Sequence, residues 1–342
     1  MIPPVIPAPI LRLTTALAAV AIVITITGCQ SAPGQPAPTP TPPAGLMNPF
    51  FDQDFPDPFI LSSGAGYIAY ATNGADSNVQ TLTSPDMITW TRGDDAMPNL
   101  PSWTTAGKVW APEVAKVGGK YLIYYTTPAP DHSIQCVGVA QADRPLGPFV
   151  DHNTKPLVCQ SDQGGSIDPS PFKAPDGKRY LYWKNDGNAI GVDTWISVQQ
   201  LSNDGTHLVG RPKRLFRQTE PWEGKLIEAP FGWEHDGTYY LFYSANDYAS
   251  ADYAVGYATA SSPLGPFTKH PEPVLTSDAV ASGPGHCALI EKDGNVWMVY
   301  HAWPPDEVGS SIPGREPWLS KVTFDGMQVK VAEPQTRPTD RP

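Results

Sequence analysis

A short unit recurs along the chain at near-constant spacing, and this recurrence limits the possible folds more than any other feature. It reads GAGYIAY from Gly64, GKYLIYY from Gly119, GKRYLYW from Gly177, GTYYLFY from Gly237 and GNVWMVY from Gly294. The step from each copy to the next is almost even. A second motif, PLGPF, stands at Pro145 and again, two periods later, at Pro263. Each glycine opens a run of aromatic and β-branched residues, and in three copies it follows an aspartate. That is the pattern of a hairpin turn feeding a strand. No long segment after residue 47 carries a helical apolar period. Evenly spaced all-β units of this length predict a propeller of four-stranded blades. Five copies over residues 48–336 predict five blades; a β-sandwich or a two-domain β protein is the alternative.

Just upstream of each copy stands an ionisable residue: Asp57 in FPDPFIL, Glu113 in VWAPEVAKV, Asp168 in SIDPSPFKA, Glu228 in IEAPFGWEH and His286 in GPGHCALIE. The first strand of a propeller blade lines the central channel, so these five groups, at equivalent points of the repeat, are expected to converge at one mouth of it. Pro169 and Pro171 stand in Asp168's segment. They cannot donate to a ladder, which suits a strand mouth better than a strand interior. Taken alone, Asp168 reads as a turn aspartate bonding its own backbone; its place in the repeat changes that reading. Carboxylates sharing one pocket have coupled proton affinities, so one can stay protonated while another stays ionised. Hydrolysis of a glycosidic bond needs that division: a base activates water and an acid protonates the leaving oxygen.

The formal net charge is −11, which disfavours nucleic acid as a partner. Seven histidines and no CxxC pair argue against a clustered zinc site. The N-terminal residues are not part of the fold. Leu13–Thr27 is apolar or threonine throughout, with Arg12 as the only positive charge before it. That run is too short for a membrane span, which needs roughly 20 residues. It ends in ITGC, residues 26–29. This resembles a bacterial lipobox: a signal peptide (1–28) cleaved before a cysteine, Cys29, that then carries lipid. An ordinary secretory signal or a short anchor is the alternative, and every one of these readings exports the chain. Residues 29–47 form a proline-rich, uncharged linker of extended character. The catalytic domain is expected over residues 48–336 and a tail over 337–342.

FPDPF, WAPE, IDPSPF, IEAP and GPGH, in this order and spacing, resemble glycoside hydrolase family 43 over nearly all of residues 50–335. The resemblance implies a five-bladed propeller that inverts anomeric configuration. It implies Asp57 as general base, Asp168 as the aspartate that orients the acid and tunes its proton affinity, and Glu228 as general acid. It further implies a calcium or similar ion in the channel near His286, no organic cofactor, and through GREPW a substrate-pocket role for Arg315. The family's acid usually sits in EGP; here Ala229 replaces the glycine. The related fructan-acting propellers retain configuration, but their NDPNG and RDP patterns are missing.

Trp110 is expected either in a sugar-stacking wall or in blade packing. His301 is expected to pack or orient rather than bind metal, and Glu113 to be structural. Cys136 and Cys159 lie in one blade's sequence and can pair in an exported protein. Cys287 is left over, and strand alternation turns it into the packing between blades. The expected substrate is a polysaccharide or oligosaccharide containing pentose, cleaved by a monomer whose only membrane contact is its N-terminal lipid. Within the family the segment YYLFYSANDYASADYAVGYA resembles the arabinan-acting branch, which implies an arabinofuranosidase or arabinanase; β-xylosidase is the alternative. A sugar-binding propeller without catalysis is the reading from another class. It would have lost an acid, and all three acids are present.

Overall fold

A computed structural model describes residues 46–336 apart from residues 75 and 132. The expected signal peptide, Cys29, most of the expected linker and the expected tail therefore lie outside the described residues. Among the described residues, nineteen strands form five sheets, each an antiparallel meander in sequence order. Blade 1 comprises β1 (Phe59–Ser63), β2 (Gly66–Ala71), β3 (Gln80–Ser84) and β4 (Thr91–Arg92). Blade 2 comprises β5 (Trp110–Val117), β6 (Lys120–Pro128) and β7 (Gln135–Ala142). Blade 3 comprises β8 (Ser166–Lys173), β9 (Arg179–Asn185), β10 (Trp195–Leu201) and β11 (Leu208–Arg217). Blade 4 comprises β12 (Ile227–His235), β13 (Thr238–Ala245), β14 (Ala254–Ala260) and β15 (Thr268–Lys269). Blade 5 comprises β16 (Ser282–Lys292), β17 (Asn295–Trp303), β18 (Glu316–Asp325) and β19 (Gln328–Val331). The first strands β1, β5, β8, β12 and β16 each pack against the next, and β16 packs against β1, closing a ring. This is the five-bladed propeller.

The glycine-led runs are the second strands, and their aromatic residues fill the gaps between blades. Tyr70, Tyr124 and Tyr182 occupy the same place in successive repeats and are buried. Each donates its hydroxyl to a carbonyl of the following blade: Tyr70 to Pro145, Tyr124 to Gly205 (2.7 Å) and Tyr182 to Pro263 (2.8 Å). A buried phenol must find such a partner, so the aromatic payload also sets the angle between blades. The two PLGPF segments are thus equivalent docking turns.

Blade 2 differs from the expected four strands. Its outer edge is an irregular segment that pairs with β7 through isolated bridges at Gln141↔Val150 and Val137↔Val158 instead of a regular ladder. The segment carries Pro145, Pro148 and Pro156, which remove the N–H groups a regular fourth strand would use. A Cys136–Cys159 disulfide fastens this segment to β7. Buried Asp151 anchors it further, accepting from Tyr125 Oη (2.8 Å) and Trp103 Nε1 (3.2 Å). At the ring seam, Asn48 donates its backbone N–H to Gln335 O (2.8 Å), and its side chain both donates to and accepts from Leu319. The start of the domain and its last blade are stitched together there.

Candidate active site

Each first strand carries, within it or just before it, one non-glycine residue with left-handed backbone at the channel mouth. These are Asp57 (φ 55°), Ala111 (47°), Asp168 (54°), Ala229 (53°) and His286 (50°). Register shifts lie at that point in β5, β8, β12 and β16. A non-glycine residue held there costs on the order of 1–2 kcal/mol, so the surroundings must over-determine it. They do so through the residue's own N–H. Ala111 N–H is accepted by Thr72 Oγ1 (2.9 Å), Asp168 N–H by Thr126 Oγ1 (3.1 Å), His286 N–H by Ser244 Oγ (2.8 Å) and Asp57 N–H by His301 Nδ1 (3.1 Å). Each acceptor lies just beyond the aromatic run of the preceding blade, one place per repeat.

This corrects the phase read from the sequence. Asp57, Asp168 and His286 are equivalent, but Glu228 stands one residue before the left-handed position of its blade and Glu113 two residues after it. Glu228 still reaches the cavity, whereas Glu113 is not among its lining residues. Glu113 is buried, accepts from Ser170 Oγ (3.1 Å), and burial pushes its carboxyl well above the usual carboxylate range. It is structural, and Cys287 is buried in the packing of blades 4, 5 and 1.

Asp57, Asp168, Glu228, His286, Arg315 and Trp110 together line one cavity of about 380 Å³. Its size suits a small ligand. Asp57 Oδ1 lies 2.9 Å from Arg315 Nη1, 3.4 Å from His286 Nδ1 and 3.3 Å from His301 Nδ1. Its other oxygen accepts a short hydrogen bond from Thr72. Burial works against ionisation of Asp57, but Arg315 and the two imidazoles outweigh it and hold the carboxyl well below its ordinary range. Asp168 experiences the opposite balance: burial, with Glu228 and Asp57 adding to it against His286 and Lys184, pushes it up to about 6. One Asp168 oxygen accepts Ala229 N–H (2.9 Å), tying it to the backbone beside Glu228. Glu228 accepts from Tyr253 Oη (2.7 Å) on one oxygen and from Lys184 Nζ (3.1 Å) on the other. Burial and Glu228 raise the Tyr253 phenol far above its ordinary value, so it serves only as a donor. A carboxylate held ionised and a carboxyl with two oriented donors thus share one small cavity.

A family model described as Glycosyl hydrolases family 43 matches residues 46–327. The chain belongs to that family. The family-43 chain is 31% identical over 274 residues to the β-D-galactofuranosidase xynD of Aspergillus niger, covering 74% of this chain and 75% of the relative. It is 30% identical over 380 residues to an arabinoxylan arabinofuranohydrolase of Bacillus subtilis, covering 91% of this chain and 69% of the relative. Its fold matches the crystal structure of a thermostable family-43 glycoside hydrolase with a TM-score of 0.78 and 30% identity, over 86% of this chain and 98% of that one. As a family-43 member it is a glycosidase, hydrolysing O-glycosyl bonds.

The ion expected near His286 finds no fitting ligand set in this family-43 hydrolase. Among the described residues no group of three or more His, Cys, Asp or Glu side chains is arranged for a metal. The carboxylate oxygen nearest His286 already faces the Arg315 guanidinium, which repels a cation. Trp110, half-buried at the start of β5, lines the cavity. His301 orients Asp57 through the backbone N–H it accepts. Sequence reasoning missed Lys184, Asp186, Tyr253, Asp247 and Tyr248. Only Lys184 carried a signal: it occupies the repeat place held by Thr72, Thr126, Ser244 and His301 elsewhere.

Proposed function

We propose that the chain is an exported, inverting hydrolase that releases α-L-arabinofuranosyl residues from pentose-containing glycans, anchored at the outer face of a membrane through Cys29. The observation that carries the chemistry is the contrast between Asp57 and Asp168 in one cavity. Asp57, held ionised by Arg315, takes a proton from water. Glu228 gives its proton to the glycosidic oxygen as the bond to the anomeric carbon breaks and water's oxygen bonds there from the opposite face. Asp168 fixes the backbone beside Glu228 through Ala229 N–H and places a second carboxyl near it. Trp110 and Tyr248 offer aromatic faces to a sugar ring, and Arg315 spans the two sides of the site by lying 4.7 Å over the Tyr248 ring.

The arabinofuranosyl reading is supported by the arabinofuranohydrolase relative, which matches 91% of the chain. The galactofuranosidase relative favours β-D-galactofuranosyl as a second reading, since both names describe five-membered sugar rings. The test is hydrolysis of 4-nitrophenyl α-L-arabinofuranoside, β-D-galactofuranoside and β-D-xyloside, and of linear arabinan, with NMR of the first-formed sugar. Arabinofuranoside turnover with inverted configuration is expected. A first product of retained configuration would remove the role given to Asp57 as the base that activates water. Turnover of the xyloside alone would remove the arabinofuranosyl reading.

A further inference from the structure

At one place per repeat, a side chain just beyond the aromatic run accepts the N–H of the next blade's left-handed residue. Thr72, Thr126, Ser244 and His301 do this with a hydroxyl or an imidazole nitrogen. In blade 3 the same place is Lys184, and an ammonium has no acceptor. The N–H of Ala229, left without its usual partner, is taken by Asp168 Oδ2 at 2.9 Å. The lysine, released from that duty, turns to carboxylates: its Nζ lies 3.1 Å from Glu228 Oε2 and 3.6 Å from Asp186 Oδ1, with a side chain 0% exposed.

We propose that Lys184 is a positioning residue that sets how tightly Glu228 holds its proton, with Asp186 as its second counter-ion. The inference rests on the reading of Glu228 as proton donor. A fully buried ammonium cannot be left unpaired. When Glu228 carries the proton, Lys184 keeps Asp186 as partner. When Glu228 has passed that proton to the glycosidic oxygen, the new carboxylate faces the waiting ammonium. Lys184 itself transfers no proton. The groups facing Glu228 are Lys184, Tyr253 and, by their charge, Asp168 and Asp186; those facing Lys184 are Glu228, Asp186 and Asp168. Lys184 is the one cation among these five, and its loss leaves three carboxyls repelling one another. Burial works against its charge, but Glu228, Asp186 and Asp168 together raise it above the ordinary lysine value, so it stays charged through the working pH range.

The experiment follows the Glu228 carboxyl directly, by carbon NMR of protein labelled at glutamate Cδ, with Glu228→Gln identifying the signal. Lys184→Met should raise the Glu228 titration midpoint by about 1–3 pH units. Lys184→Arg should return it toward the wild-type position. Asp186→Asn should move it the opposite way, because the lysine then belongs to Glu228 alone. The alkaline limb of the pH–rate profile on the hydrolysed substrate should follow each midpoint. If Lys184→Met does not fold, Asp186→Asn carries the test, since it retains the lysine and its partner. An unmoved midpoint in a folded variant overturns the proposal, as does a midpoint that moves while the alkaline limb stays. Equal losses of Glu228→Gln on sugar and nitrophenolate leaving groups overturn the donor reading and this inference with it; losses confined to sugar leaving groups, with an unmoved midpoint, overturn this inference alone.

Discussion

Replacing Arg315 with methionine isolates the charge that keeps Asp57 ionised. Methionine preserves much of the stem and removes the guanidinium. The pair is 2.9 Å apart, with side chains 15% and 11% exposed. At an effective dielectric of about 20 that separation corresponds to an attraction of roughly 6 kcal/mol. Desolvation of both partners cuts the net worth to about 3 kcal/mol, within the range for breaking a mostly buried pair. At about 1.4 kcal/mol per tenfold, Asp57 in Arg315→Met should hold its proton about 100-fold more tightly. His286, His301 and the Thr72 hydroxyl then oppose its burial, and His301 is itself held down to about 4 by burial and Arg315. The assay is kcat/KM against pH on an aryl furanoside, each profile normalised to its own maximum. The acidic limb should rise in the variant. Stability gives an independent readout with a fixed sign. A carboxyl lowered in the folded state contributes stability that is present above its unfolded value, here 3.8, and is lost as pH falls through the folded one. The variant should therefore be about 3 kcal/mol less stable than wild type at pH 7, and the gap should narrow from about pH 4 downward and vanish as pH falls through the lowered folded value of Asp57. An acidic limb that stays in place, with a stability gap independent of pH, would refute the claim that Arg315 sets the ionisation of Asp57.

Glu228→Gln should lose most activity on sugar leaving groups and little on an activated nitrophenolate, whereas Asp57→Asn should fail on both; equal losses on both substrates for Glu228→Gln would contradict its role as acid. His301, buried and held down to about 4 against an ordinary 6.5, contributes stability present above pH 6.5 and lost as pH falls through 4. His301→Asn keeps an acceptor for Asp57 N–H and cannot charge, so wild type should lose about 3 kcal/mol relative to it across that window, read from urea midpoints. Cys159→Ser removes a cross-link between positions separated by 23 in sequence. It should cost about 3 kcal/mol, with denaturation of wild type in reductant matching the variant. Cys29→Ser should release the protein from membranes; unchanged partition with the N-terminal residues intact would indicate an uncleaved anchor.

The blade number, the second strands and the equivalence of the PLGPF turns were legible in the sequence because each is a local period. A glycine turn followed by an aromatic run forms the same hairpin wherever it occurs. The three acids were legible for a related reason: each sits close to a proline at the start of a blade. Their phase was not read correctly. Counting back from the glycine put Glu113 and Glu228 level with Asp57, while the residues before Pro112 and Pro230 are Ala111 and Ala229, and those hold the left-handed turn. The pairings that give the acids different characters belong to the tertiary structure alone. Arg315 reaches Asp57 across a sequence separation of 258, because the seam brings blade 5 against the start of blade 1. Tyr253, from the connection of β13 to β14, meets Glu228 only once blade 4 has folded back on itself. Lys184 meets Glu228 across the junction between blades 3 and 4. A strand pattern is decided by neighbours along the chain. The proton affinity of a buried carboxyl is decided by which charges and dipoles pack against it, and here those come from the adjoining blade or, as with Tyr253, from a distant turn of the same one.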